Sequence, residues 1–323
     1  MKGGALVPME RTAAVSFPDT VRAETKEMIH ASLSENTLLA YGRAWDRWET
    51  WLAENNLQVH EATDELIANY LAQLYGAGYA PTSITLALSG IRFRYKDLGL
   101  DYVAGDITRA TLQGIRRRGR DRGRGQAPGA TIENVHLVAR KLSENGTLRG
   151  LRDALILSVM SDALLRASEL LGLKVSNAAV EPDGTGRLFL DHSKTDQEGD
   201  GAVLFMGSPT MRIFSAYVHR AQLGADDPLI IGIDRWDRPG AKGKQLTRQA
   251  LNKITRRIGR AHFGIGNLSS HSFRVGSAQS LVARGAGLAE LQEVGRWKSP
   301  EMPAHYSRGQ RASRNAIARL VYG

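Results

Sequence analysis

The chain of 323 residues contains no cysteine. Disulfide frameworks and thiolate metal sites are excluded, and a reducing cytoplasm is the expected setting. Nor is there an apolar run of the roughly 20 residues that a bilayer crossing needs. The opening "MKGGALVPMERTAAVSFPDT" lacks an apolar stretch of signal-peptide length. A soluble protein with no membrane attachment is expected. Acidic residues are also in deficit: 33 Asp and Glu stand against 43 Lys and Arg, a net charge of +10. That excess points to a polyanionic partner, with nucleic acid first.

The basic charge is unevenly spread. Residues 16–70 hold ten acids and four bases, whereas residues 235–260 hold nine bases and one acid. "IRRRGRDRGRG" carries six arginines and one aspartate. One such run is usually a solvated face. Several, separated by a neutral or acidic stretch, suit a surface that grips a phosphate backbone.

Periodicity divides the chain. The first 20 residues read as a disordered tail, and an all-helical domain follows over 21–118. In "SENTLLAYGRAWDRWETWLAENNL", Ser34 is a plausible N-cap, and Leu38, Tyr41, Trp45, Trp48 and Leu52 recur at helical spacing. A second helix starts after Thr63 and a third at Pro81; the third turns Ile84, Ala87, Leu88, Ile91 and Tyr95 to one face. "DITRATLQGIRRRGR" is a fourth. "GRDRGRGQAPGAT", 119–131, is a basic linker rich in glycine, expected to be flexible. Residues 132–323 form a mixed domain. Its helices surround one hairpin, with "GRLFLDHSKTD" and "GAVLFM" as strands and the amphipathic tail 311–323 at the end. The fold class is mainly α, with a mainly helical α+β second domain.

"LLRASELLGL", 164–173, sets Arg166 among five leucines, a costly place for an unpaired charge. Glu169, three residues on, can be a structural partner. Alternatively, the guanidinium faces an anionic substrate. Further along, Lys194 stands in "HSKTD" at a strand end. "HSFR" sets His271 and Arg274 at i and i+3 on one helical face, "GRWKS" contains Trp297, and Tyr306 follows nine residues later. Each alone is commonplace; the ordered set in a basic chain is not.

The set resembles the tyrosine site-specific recombinases, the lambda-integrase family. The likeness runs from about Ser34 to the end, carried by "LLRASELLGL", "HSKTD", "HSFRVGSA", "GRWKS" and "AHYSR". Trp297 marks one branch, since many relatives carry histidine there. The resemblance implies a helical core-binding domain and a catalytic domain that together clamp DNA. It implies Tyr306 as nucleophile, Arg166 and Arg274 on the scissile phosphate, and His271 and Trp297 against the same phosphate. Lys194 would be the general acid, with Glu169 supporting Arg166. It implies no cofactor and no metal. The implied partner is double-stranded DNA with inverted-repeat half-sites, bound by a homotetramer that spans two sites and is monomeric or weakly associated when free. The implied origin is bacterial, phage or plasmid, with the tail docking on a neighbouring protomer. Pro300 and Pro303, just before Tyr306, depart from the pattern; a second late tyrosine, Tyr322, lies outside it.

The chemistry suits these groups. Charge concentrates on the non-bridging oxygens of a phosphodiester in its transition state, and two permanently charged guanidiniums can fork onto them. A phenolate, with a reference pKa of about 10, leaves readily when the bond is rejoined. A lysine can protonate the departing 5′-hydroxyl. DNA-contact candidates are Arg43 and Arg47 on the first helix and Ser89, Arg92 and Lys96 on the third. Arg116 and Arg118 approach the linker and Arg120 lies in it. Arg248 and Gln249 lie in a segment similar to one that enters the major groove. Two other readings share some of these features: a type IB topoisomerase or telomere resolvase, and a non-catalytic DNA-binding regulator.

Overall fold

The computed structural model describes residues 22–123, 125–191, 201–241 and 244–307. The expected tail 1–20, Lys194, Tyr322 and the terminal helix 311–323 lie outside the described residues. Two compact units are present, Met1–Gly125 and Gln126–Gly323. No described helix is long and apolar enough to cross a membrane.

The first unit is helical: α1 (Ala23–Ala31), α2 (Glu35–Glu54), α3 (Asp64–Gly76), α4 (Pro81–Asp97) and α5 (Asp106–Arg118). Ser34 and Thr63 cap α2 and α3, their hydroxyls accepting from the N–H of Thr37 and Leu66. Trp45, Trp48 and Leu52 are buried as their spacing requires, and Trp51 joins them. Leu38 and Tyr41 are only half-buried. Polar handles on this aromatic core find partners: Trp48 Nε1 donates to Tyr95 Oη at 3.3 Å, and Tyr95 donates to Val59 O at 2.7 Å. Helix α1 was not legible, being polar and lacking a side-chain cap. His30, near its end, meets Asp97 of α4 at 3.3 Å.

Asp64 joins α3 to α5. Its carboxylate accepts from the N–H groups of Gly105, Ile107 and Thr108, the orphan donors at the start of α5. Hydrogen bonds from Thr108, then those from Gly105, Thr108 and Ile107 backbone, hold its pKa down at about 2 against the opposing effect of burial.

In the second unit, α6 (Ile132–Glu144), α7 (Leu148–Asp162), α9 (Ser208–Ala221) and α11 (Ser270–Ala283) pack together. Helix α7 is buried almost all round, from Leu148 to Ser161, which marks it as the central helix. At its end Asp162 accepts from Gly207 N and Thr210 Oγ1 and faces His136 Nε2 at 2.8 Å, so one carboxylate fastens α6, α7 and α9.

The expected hairpin is β2 (Gly186–Leu190) and β3 (Ala202–Met206), paired antiparallel from Gly186↔Met206 to Leu190↔Ala202. The first strand ends at Leu190, earlier than the "HSKTD" segment. A third strand, β1 (Ala178–Val180), extends the sheet on the far side of β2. The remaining helices are α8 (Ala167–Gly172), α10 (Arg248–Ile258), α12 (Leu288–Gly295) and α13 (Glu301–Ser307).

Between α7 and α8 the chain turns: α7 stops at Asp162, Leu164 takes a left-handed φ of 46°, and Arg166 is the N-cap of α8. The segment 119–131, expected to be flexible, makes a contact near each end. Arg122 stacks 3.9 Å from the Tyr75 ring within the first unit. In the second unit Ala130 N donates to Ser272 O at 3.0 Å. That approach requires Gly276, where a Cβ would sit 1.8 Å from Ala130 O.

Candidate active site

Four segments of the second unit converge on a cleft of about 590 Å³, lined among others by Arg166, His271, Arg274, Trp297 and Tyr306. Beneath it lies a small separate core of Leu164, Val275, Ala278, Val282 and Leu291, which also includes Trp297 and Tyr306.

Arg166 reaches the cleft because the chain leaves the helix there. Glu169, in the first turn of α8, takes Arg166's backbone N–H at 2.8 Å on Oε2 and its guanidinium at 2.5 Å on Oε1. Arg166 is thus paired with Glu169 and also lines the cleft. Burial would raise the pKa of Glu169, but the Arg166 N–H and the charges of Arg296 and Arg166 outweigh it and hold the carboxyl below its ordinary value.

Helix α11 supplies His271 and, one turn on, Arg274. Arg274 is 2 % exposed. Its two terminal nitrogens donate to Leu164 O and Gly295 O, and its guanidinium lies 4.4 Å from the centre of the Trp297 ring. Burial, then the neighbouring charges of Arg166 and Arg296, lower its pKa to about 9, so it stays charged at neutral pH. The left-handed turn at Leu164, a strain of about 1–2 kcal/mol for a residue with a Cβ, sets the carbonyl that Arg274 uses.

Trp297 follows α12 directly. The helix ends at Gly295 with Arg296 left-handed (φ 53°), and a Cβ on Gly295 would lie 1.9 Å from the Trp297 ring. Tyr306 sits in the last turn of α13. Pro303 falls in that helix's first turn and Pro300 precedes it, positions where proline is tolerated. The Tyr306 ring lies 5.5 Å from that of Trp297, and its hydroxyl is 3.0 Å from His271 Nε2. Burial raises the phenol's pKa against the opposing charges of Arg274 and Arg166. Burial, then Arg274 and Arg166, lowers that of His271. The residue as a whole is exposed at the cleft mouth, but the imidazole is flanked by protein and by two cations.

Of the seven expected catalytic residues, this cleft unites Arg166, Arg274, His271, Trp297 and Tyr306, with Glu169 behind Arg166. Lys194 is outside the described residues. Arg248, the first residue of α10, also lines the cleft, whereas Gln249 is exposed beside it. Lys298 lines it as well and was not singled out, although "GRWKS" contains it.

In the first unit Arg43, Arg47, Arg92, Lys96, Arg116, Arg118 and Arg120 are exposed. Thr85, Ser89, Arg92 and Lys96 follow one another along α4 at spacings of four and three, a single face. Arg116 of α5 joins that face, donating to Thr85 Oγ1 at 3.4 Å. Ser89 is half-buried and donates to Thr85 O at 3.0 Å. Arg47 and Arg92 stand over the rings of Tyr79 and Tyr102.

The chain was compared with known proteins. The model of the phage integrase family matches residues 137–312, and that of the phage integrase N-terminal SAM-like domain matches residues 28–98. An integrase/recombinase XerD homolog of Selenomonas ruminantium is 24% identical over 322 residues, 96% of this chain and 92% of that one. Recombinase Cre of Escherichia phage P1 is 22% identical over 320 residues, 94% and 93% of the two chains. The fold is shared with the XerH site-specific recombinase in a post-cleavage complex with its difH substrate. There the TM-score is 0.67 at 17% identity, over 86% of this chain and 78% of that one. The integrase of transposon Tn1549, in complex with transposon right end DNA, gives a TM-score of 0.59 at 15% identity, over 91% and 97%. With more than half its length matched by one family, and with a tyrosine, a histidine and two arginines converging in the matched part, this chain belongs to the phage integrase family and is a tyrosine recombinase, an enzyme of site-specific DNA recombination.

Proposed function

We propose that the cleft cuts and rejoins DNA through a covalent 3′-phosphotyrosine. The observation that carries this reading is the Tyr306 hydroxyl, 3.0 Å from a histidine in a cleft lined by two arginines. Tyr306 Oη attacks the phosphorus and its proton passes to His271 Nε2. The new P–O bond forms as the bond to the 5′-oxygen breaks, and that oxygen leaves as a hydroxyl with a proton from Lys194. Arg166 and Arg274 hold the non-bridging oxygens, where electrostatic stabilisation is typically the largest contribution; losing one donor typically costs about 3–4 kcal/mol. Trp297 closes the pocket behind the phosphate. Rejoining reverses each transfer, so bond energy is retained and no nucleotide cofactor is needed.

Double-stranded DNA is the partner that the +10 charge and the exposed arginines support. The core-binding role of 21–118, the linker role of 119–131 and the catalytic role of 132–323 belong to this reading. So do inverted half-sites, a homotetramer on two sites, a Holliday-junction intermediate and assembly through 311–323. The face formed by Ser89, Arg92, Lys96 and Arg116 suits backbone contact, and Arg248 with Gln249 suits base readout.

The test uses a pool of nicked duplexes of randomised sequence, in which the cleaved strand loses a short piece and cannot be resealed. The wild-type chain should carry DNA through a denaturing gel, and Tyr306→Phe should bind duplex yet carry none. A covalent band from Tyr306→Phe would move the nucleophile elsewhere, with Tyr322 first. Strand exchange between two captured sites would separate recombination from simple relaxation.

A further inference from the structure

Arg296 stands between Gly295 and Trp297 in left-handed backbone, φ 53° and ψ 48°. Its side chain is 11% exposed and points away from the cleft's lining, toward the loop that bears Arg166. One terminal nitrogen donates to Ala163 O at 3.0 Å and, more weakly, to Val294 O at 3.4 Å. The other donates to Leu164 O at 3.3 Å and to Glu169 Oε2 at 2.9 Å. Glu169 is the carboxylate that also holds Arg166 by its guanidinium and its N–H. One buried carboxylate is thus shared by an arginine that faces the cleft and another that does not. Leu164 O is shared in the same way, by Arg296 and Arg274.

We infer that Arg296 is a positioning residue: it ties the segment carrying Trp297 to the segment carrying Arg166, and so keeps the two sides of the phosphate-binding cleft in register. The inference rests on the phosphotyrosine reading. Three of the four acceptors come from residues 127 to 133 positions away in sequence, so the side chain links distant segments as well as touching its own turn. A planar fork reaches them from two nitrogens. A lysine, with all its donors on one atom, does not reproduce that spread. Glycine is the residue that left-handed backbone ordinarily favours, so backbone shape alone does not account for an arginine here.

That contrast supplies the test. Arg296→Gly keeps the turn and removes the fork. On the randomised nicked-duplex pool that traps the full-length wild-type chain, it should unfold cooperatively near the wild-type temperature and retain duplex on filters within about threefold. Its rate of covalent capture at saturating duplex should fall about 10–100-fold, the scale on which small misplacements of reacting groups are felt. Arg296→Lys, which preserves the charge, should recover only part of the rate. Adding Glu169→Gln to Arg296→Gly should slow capture by less than the product of the two single effects, because both act through one contact. If Arg296→Gly fails to fold, Arg296→Lys decides alone: unchanged melting with slower capture supports the inference, and wild-type capture overturns it. Capture by Arg296→Gly at the wild-type rate, or lost only in proportion to lost duplex retention, also overturns it. A wild-type chain that forms no covalent band overturns the phosphotyrosine reading itself; a wild-type band beside unchanged variants overturns this inference alone.

Discussion

The hydroxyl of Tyr306 and Nε2 of His271 lie 3.0 Å apart, and their surroundings shift both groups toward the neutral state. Burial raises the phenol, and burial with two arginines lowers the imidazole. The resting pair is neutral phenol and neutral imidazole, a donor facing an acceptor.

The pH dependence follows in sign. A histidine that must accept a proton works only when neutral, and its pKa lies below the ordinary 6.5. Cleavage at limiting DNA reports the free enzyme. It should therefore hold its rate from neutral pH downward and fall only once pH passes below 6.5. His271→Ala should lower the rate by about 10²–10⁴ and erase that acid limb. Single-turnover cleavage across pH 5–8 checks this; an inflection above 7 would contradict the assigned role.

Lys194→Ala should slow cleavage of ordinary duplex by about 10²–10⁴. It should slow far less the cleavage of a duplex with sulfur at the 5′-bridging position, because a thiolate leaves without a proton. Comparing the two substrates in gel-based cleavage assays decides it. Equal slowing of both would remove Lys194 as the acid.

Gly295→Ala should destabilise the second unit by about 1–3 kcal/mol, the usual cost of overpacking, because the new Cβ would meet the Trp297 ring at 1.9 Å. Covalent capture should drop with it, since that ring packs on both Arg274 and Tyr306. Gly114→Ala, in exposed α5 with nothing within 4 Å of a new Cβ, should instead stabilise by about 0.5–1 kcal/mol. Thermal melts of the two variants should move in opposite directions.

Asp64→Asn should lower the melting temperature of the first unit at neutral pH, because the start of α5 loses a charged acceptor. The folded pKa near 2 lies below the reference value of 3.8. The contribution of Asp64 is therefore complete above about pH 4 and disappears as pH falls toward 2. Melts of the two proteins should converge over that range; a difference that persists undiminished at pH 2 would show that charge is not the cause.

What was legible in the sequence was what short-range physics writes there. Ser34, Thr63 and Pro81 announce helix starts, and the Trp45, Trp48, Leu52 spacing announces a buried face. Arg166 and Glu169 were readable as a pair because three residues separate them. The break at Leu164 was not, since leucine has no preference for left-handed backbone and the groups that meet it, two guanidiniums and the small core under the cleft, are distant in sequence. Arg296 was missed for the same reason: the partners that give it a role, Ala163, Leu164 and Glu169, are more than a hundred residues away, and between Gly295 and Trp297 it has no period to signal a role. Strand β1 is three residues long and exists only by pairing with β2. The contact at Ala130 depends on Gly276, whose need for bareness shows only once Ala130 lies against it.

Tyr306 is 3 % exposed. In the proposed mechanism a nucleophile sheathed to that degree would be shielded from a phosphodiester that merely drifts past. On that reading a backbone would have to seat in the cleft beside the Trp297–Tyr306 contact to meet the hydroxyl, so the break would be licensed by seating and not by encounter. Loosening that packing, for instance by trimming Trp297, should therefore show itself first as stray nicks at sites the protein does not normally hold.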